Sequence, residues 1–338
     1  MAYSNVTALA NMDAVLTALT TFLNGLTGWT LHTNLGSPSV GSAAGGHVTI
    51  ASNGTTMVGL RSITGSAAGN ALMLFSGLGA YSSGIEGSLN GDDGIGASYT
   101  TAGITTGNPT FRGFQNLTGP FPNLYMFSNA AGDYCHAVLE WSAGKFRHMA
   151  FGKVTQFGTW LGGNGSYFAG SFWSQSGLGS GTSQIINQPA STQHSLPFDN
   201  RTGGPSALCD WTLNYSNGTD VWIGPTEQLF GAVQHRTGRG SIRAGAARMY
   251  KNIQESLFTG LIPLGPIVLG AEKLSDSPPT IRYVGQVPDI RTVNIAHLTP
   301  AQEFSIGSDT WKVFPFASKG STNGQESSLF GGLAYKKI

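Results

Sequence analysis

The residues of this chain that could do chemistry are few and scattered. Cys135-His136 comes nearest to a metal-ligand pair, because metal sites need His, Cys, Asp or Glu clustered at short spacing. Neighbouring residues of a strand face opposite ways, however, so this pair would not converge on one ion. Asp92-Asp93, behind Gly91, could offer loop oxygens to Ca²⁺, but a solvated turn rich in Gly and Asp explains the pair better. Gly177-Leu178-Gly179-Ser180-Gly181 contains a serine without the preceding strand that a nucleophile elbow requires. Glu86, Asp92, Asp93, Glu140 and Asp210 are available for a glycosidase acid pair, yet nothing in the sequence pairs them. No Gly-rich turn sits between a clear strand and a helix, so nucleotide fingerprints are missing. The expectation is a chain without catalytic residues, metal ligands or cofactors.

Two other groupings could bind. Arg236, Arg239, Arg243 and Arg248, followed by Lys251, gather in GAVQHRTGRGSIRAGAARMYK. An acidic neighbouring subunit or an ordinary exposed loop suits this stretch better than nucleic acid, because the interleaved aromatics of a single-strand binder are sparse there. Trp160, Tyr167, Phe168, Phe172 and Trp173 border Gly-rich turns, and rings in a shallow β groove can stack on sugars. The same alternation fits a strand buried in a core or a subunit seam. Tyr167, Phe172 and Trp173 are therefore candidate glycan contacts in second place.

The densest patterning lies between Asn123 and Trp173. Tyr134-Trp141 and Phe146-Phe151 flank Ser-Ala-Gly-Lys, and a two-residue Ala143-Gly144 turn would pair Ser142 with Lys145. That register predicts Glu140 opposite Arg147, Trp141 opposite Phe146 and Leu139 opposite His148. It also sends His136 and His148 to opposite faces, which argues against a shared metal. A three-residue turn would bring the two histidines to one face, but it would set Glu140 against Phe146. An ion pair and an aromatic pair across the strands favour the first register.

Composition frames these groups. Charged residues make up only 10% of the 338, while Gly reaches 49. Soluble chains average about 25% charged residues, so much of this surface must be neutral polar or covered by partners. The net charge of +1 lacks the concentrated positive field of a nucleic-acid or membrane binder. The start, MAYSNVTALANMDAVLTALTTFLNG, lacks a basic n-region and an unbroken apolar core, so no secretory route is expected. No run approaches the roughly 18 apolar residues of a membrane span. Cys135 and Cys209 read as buried free thiols.

Met12, Val15, Leu16, Leu19, Phe22 and Leu23 recur at helical spacing, and Asn24-Gly25 supplies a stop. This stripe must dock on the chain's own sheet or on a neighbour, which makes Met12, Val15, Leu19 and Phe22 candidate subunit contacts alongside the arginines. From Trp29 onward short strands alternate with turns: Trp29-Thr33, His47-Ala51, Thr56-Arg61, Ala71-Phe75, Leu124-Ser128, the central hairpin, Trp211-Tyr215 and Val221-Ile223. Ser76-Asn108 and Gly162-Asn187 read as long loops, and Ala244-Phe258 as a short helix ahead of a proline-rich stretch. The expected fold is mainly β: an antiparallel sandwich, jelly-roll-like, with one N-terminal amphipathic helix and long Gly-rich loops. Its parts are 1–28 (helix and arm), 29–240 (sandwich) and 241–338 (Pro-rich linker and C-terminal β region).

Three separated motifs carry a family resemblance. They are the opening through the Gly28-Trp29 strand, Gly119-Pro120-Phe121 followed by YMFSNAAGDYCHAVLEWSAGKFRHMAFG, and the closing GQVPDIRTVNIAHLTPAQEFSIGSDTWKVFPFASKG with GGLAYKKI. Together they resemble virion structural proteins encoded in the morphogenesis regions of tailed bacteriophages. The resemblance implies a β-rich subunit of a symmetric ring or collar in the neck or tail, located in the virion after assembly in the host cytoplasm. Its implied partners are copies of itself and other neck, tail or baseplate proteins, with packaged DNA possible near the arginines and no membrane. The alternative is a receptor-binding or carbohydrate-binding protein of the tail tip. Neither reading brings catalytic residues with it.

Overall fold

The computed structural model describes residues 3–36, 47–63, 71–75, 100–101, 104–105, 111–114, 117–159, 165–173, 209–213, 215–216, 221–222, 242–244, 264–273, 280–315, 319 and 331–338. In chain order, β1 (Tyr3–Leu9) leads into α1 (Met12–Asn24), then β2 (Thr30–Gly36), β3 (His47–Ser52), β4 (Met57–Ile63) and β5 (Ala71–Phe75). The short pieces β6 (Thr100–Thr101) and β7 (Ile104–Thr105) precede β8 (Phe111–Phe114), β9 (Phe121–Phe127), β10 (Tyr134–Ser142), β11 (Lys145–Lys153), β12 (Thr155–Gln156) and β13 (Ser166–Trp173). Next come β14 (Cys209–Leu213), β15 (Tyr215–Ser216), β16 (Val221–Trp222), β17 (Ile242–Ala244) and β18 (Gly265–Lys273). The last are β19 (Thr280–Asn294), β20 (Glu303–Ile306), β21 (Asp309–Pro315) and β22 (Gly331–Lys337). The chain is mainly β, as its texture predicts.

Two antiparallel sheets hold nearly all of these strands. The first has 11, in the order β1-β9-β10-β11-β13-β8-β5-β4-β3-β2, with β14 also on β13. The second has seven, in the order β17-β18-β19-β22-β21-β20, with β12 also on β19. Ser166–Trp173 is thus a strand, where a loop was expected. Its alternating aromatics are strand signal that the surrounding glycines obscure. Of the segment read as a helix, Ala244 ends β17 and 245–258 lies outside the described residues.

Helix α1 begins where Asn11 accepts the Ala14 N–H at 3.0 Å, an N-cap that satisfies one of the free donors of the first turn. It ends at Gly25, whose N–H returns to the Thr21 and Phe22 carbonyls. Its apolar stripe goes into the chain's own core. Met12, Val15, Leu16, Leu19 and Leu23 are buried there with Phe121, Leu124, Met126, Leu139, Met149 and Phe151, and Phe22 packs partly buried against the same cluster. Met12, Val15 and Leu19 are accordingly not surface groups that a second copy could touch.

The first sheet curls around this helix, so that β1 and β9 at one end and β2 to β5 at the other all contact α1. A clasp holds the curl. Both Trp29 Nε1 and Asn53 Nδ2 donate to the Gly132 carbonyl, at 2.7 and 3.0 Å. Gly132 has φ 71°, and a Cβ there would lie 2.3 Å from the Thr27 carbonyl oxygen, so only glycine fits.

The second sheet covers the other face of β9, β10 and β11. Tyr125 and Phe127 meet Phe314 and Tyr335, and Phe146 meets Phe314 edge-on at 5.5 Å. The central strands are therefore buried on both sides, which explains why their sequences read as nearly continuous apolar runs. The result is three layers: helix, curled sheet and covering sheet.

Candidate functional site

The central hairpin departs from its expected register. Ser142 pairs with Lys145 as predicted, but a bulge at Trp141 shifts everything beyond it. Glu140 lies opposite Phe146, Leu139 opposite Arg147 and Val138 opposite His148. The predicted Glu140–Arg147, Trp141–Phe146 and Leu139–His148 pairs do not form. The turn is the cause: a tight type I′ turn needs positive φ at both central residues, and here Gly144 alone has it, at 70°. A bulge absorbs the resulting mismatch in twist.

Each displaced side chain finds another role. Glu140 accepts the Gly144 N–H at 2.9 Å and the Asn123 amide at 2.6 Å, fastening the turn to β9. The Trp141 ring receives Lys145 and Arg147, at 5.2 and 5.7 Å from its centroid. His136 and His148 now share a face, since His136 sits opposite Ala150 and His148 opposite Val138.

That face is the seam with the second sheet; His148 and Tyr134 are paired across it, and His136 within its own sheet. His148 Nδ1 lies 2.7 Å from the Tyr335 hydroxyl, and its Nε2 lies 2.9 Å from the Pro315 carbonyl. A carbonyl only accepts, so Nε2 carries hydrogen and donates. His136 Nε2 is hydrogen-bonded to the Tyr167 hydroxyl, and its ring stacks on Tyr134 at 4.3 Å. Tyr134 donates to Asp289 Oδ2 at 2.6 Å. Asp289 follows Pro288 in β19 and has φ 51°, a left-handed conformation that aspartate tolerates better than most residues.

Burial governs the acidity of these groups. It pushes the Tyr134 hydroxyl well up, with the Asp289 charge adding to the effect. Burial likewise raises Tyr167 and the Cys135 thiol, and it lowers His136 well below the usual histidine range. Cys135 is free, and its depth makes it a packing group rather than a nucleophile. His136, His148, Tyr167 and Tyr335 are all at 0% exposure. Groups so placed can orient two sheets; they cannot meet a substrate.

A second polar cluster lies at the rim. Glu303 takes Lys312 at 3.0 Å and Lys337 at 3.1 Å, while Lys336 pairs with Asp309 at 2.9 Å. Lys337 lies over the Tyr3 ring at 4.8 Å, so β1 of the first sheet and β20 to β22 of the second emerge on one side of the sandwich. Burial, then the Glu303 charge, pushes Tyr3 up to about 12. Burial would raise Glu303 too, but the hydrogen bonds and charges of the two lysines outweigh it and hold the carboxyl below its usual range.

The expected binding residues separate accordingly. Tyr167 is a core residue bonded to His136, so it is not a glycan contact. Phe172 and Trp173 belong to β13, opposite Arg112 and Phe111 of β8. Arg243 belongs to β17, opposite Gly270. Arg236, Arg239, Arg248, Lys251, Trp160, Glu86, Asp92 and Asp93 lie outside the described residues. Cys209 and Asp210 pair through β14 with Ser171 and Gly170. Among the described residues no three His, Cys, Asp or Glu side chains are grouped to hold a metal, and no helix is long and apolar enough to cross a membrane.

Sequence reading missed the seam network. The two histidines were in view, but Tyr335 and Asp289 come from the far end of the chain, and only the bulge brings the histidines to one face. Among known proteins, no family model matches this chain and no curated protein matches it.

Proposed function

We propose that this chain is a non-enzymatic structural subunit of a tailed-phage virion, assembling as a homo-oligomeric ring or collar in the neck or tail. The observation that carries the reading is the contrast between a fully committed interior and an unguarded edge. Strand β1 pairs through Tyr3–Leu9 with β9, and among the described strands it has no partner on its other side. Its sequence, YSNVTAL, has no charge and no proline, the devices by which monomeric sheets commonly protect an edge. Ala8 has φ 56° without any break in the β1–β9 register, and Asn5, Thr7 and Ala8 are exposed. A low-charge chain with such an edge is suited to backbone pairing with a neighbour, and a closed ring uses one patch against a different one on the next copy.

Sedimentation of the full chain at physiological salt tests the reading. Wild type is expected to sediment as a closed oligomer, and Asn5→Lys combined with Thr7→Lys as a folded monomer. A monomeric wild type at all concentrations refutes it. The carbohydrate-binding alternative loses Tyr167 to the core and now rests on Phe172 and Trp173 alone; binding to host polysaccharide abolished by Trp173→Ala would favour it.

A further inference from the structure

We propose that His136 makes the seam between the two sheets acid-sensitive: a proton can be held on its ring only when the seam has opened. Whatever the chain's role in a particle, the two seam histidines differ in their partners. His148 has an oxygen at each ring nitrogen, Tyr335 on one side and Pro315 on the other. A second proton there would still have an acceptor. His136 has one oxygen partner, the Tyr167 hydroxyl, and its Nδ1 has no hydrogen-bond partner among the described residues. Protonating His136 would therefore place both a charge and an unpaired N–H in a site with 0% exposure. Each alone is costly in a buried place.

The surroundings offer no compensation while the seam is closed. From its own strand, Tyr134 stacks on the ring and spends its hydroxyl on Asp289 of β19. Cys135, next in sequence, belongs to the helix-side core. His148 of β11 is bonded to Tyr335 and Pro315, and Tyr167 of β13 already holds Nε2. Tyr335 of β22 presents its ring at 6.0 Å between centroids. The Asp289 carboxylate, which acts on both Tyr134 and Tyr167, is shared by the Tyr134 hydroxyl and the nearby charge of Arg291, and Asp133, beside Tyr134 in the chain, is bonded to Asn129. Burial lowers His136 well below its usual range, which agrees with this geometry.

The sign follows from linkage. Above the ordinary histidine value of about 6.5, closed and open forms carry the same neutral ring, and pH has no leverage through it. Below that value the open form binds a proton that the closed form refuses, so opening grows by about tenfold per pH unit. Carboxylates such as Glu303 titrate lower, which separates the two effects.

Hydrogen exchange of the full-length protein, corrected for the chemical rate, tests this at the β22 amides of Leu333, Ala334 and Tyr335. Opening there is expected to rise about tenfold per pH unit between about 6.5 and 5, while the β3–β4 amides stay unchanged. His136→Gln should abolish that slope, and His148→Gln should keep it. The reverse pattern, or a slope present in both variants, overturns the proposal. Should His136→Gln not fold, the ¹³C-labelled histidine spectrum of the wild type decides. A His136 ring that stays neutral in the closed protein well below pH 6.5 supports the proposal. One that titrates near 6.5 with β22 protection intact refutes it.

Discussion

The two faces of the β9–β11 layer are built from alternate residues of the same strands, yet they are held by different means. Toward α1 the layer presents Leu124, Met126, Cys135, Ala137, Leu139, Met149 and Phe151, an apolar surface whose only requirement is shape and volume. Toward the second sheet it presents His136, His148 and Tyr134 among Tyr125, Phe127 and Phe146, where both ring nitrogens of His148, Nε2 of His136 and the Tyr134 hydroxyl have named partners. The first face can collapse on any well-shaped helix; the second accepts one docking geometry, because a shifted cover sheet would strand buried donors. The difference teaches that position, rather than residue type, decides whether a histidine here signals chemistry or architecture.

The apolar face should break hardest. Phe151→Ala removes a ring that also packs edge-on against Trp29, and denaturant unfolding should show a loss of about 3–5 kcal/mol. Tyr335→Phe is the corresponding cut on the polar face. It keeps the ring stacked on Phe127 and deletes only the hydroxyl that serves His148, for a loss of about 1–3 kcal/mol in the same assay. A loss as large as that of Phe151→Ala would mean that the two faces are not different in kind. Glu303→Gln, at the half-exposed rim, should cost no more than about 0.2–1 kcal/mol. Because the lysines hold its carboxyl below the usual range, that small contribution is present above the unfolded carboxylate value and fades as pH falls through the folded one. Wild type and variant should therefore converge at low pH.

Much of this layout is legible in the sequence, and what is not has specific causes. The strands at His47 and Met57 follow from alternation, those at Ala71, Tyr134 and Lys145 from short apolar runs bounded by turn residues, and the helix from its 3–4 repeat. β1 escapes because Ser4, Asn5 and Thr7 interrupt its apolar pattern, as an edge permits. β13 escapes because the glycines on either side resemble linker. The histidine register turned on the φ of one alanine: a turn with positive φ at Gly144 but not Ala143 inserts a bulge, and one residue of slip moves every side chain to the other face. Cross-strand pairing of Glu140 with Arg147 was a sound local preference that the turn geometry overrode. The partners of His148 stand 167 and 187 residues away in sequence, a distance across which local patterning carries no information.

An image reconstruction of the self-assembled protein tests most directly whether this chain is a building subunit. The account predicts a closed ring in which β1 lies at every subunit boundary, paired along its outer side with a strand of the next copy. Isolated monomers, or a ring whose contacts leave β1 facing solvent, would contradict it.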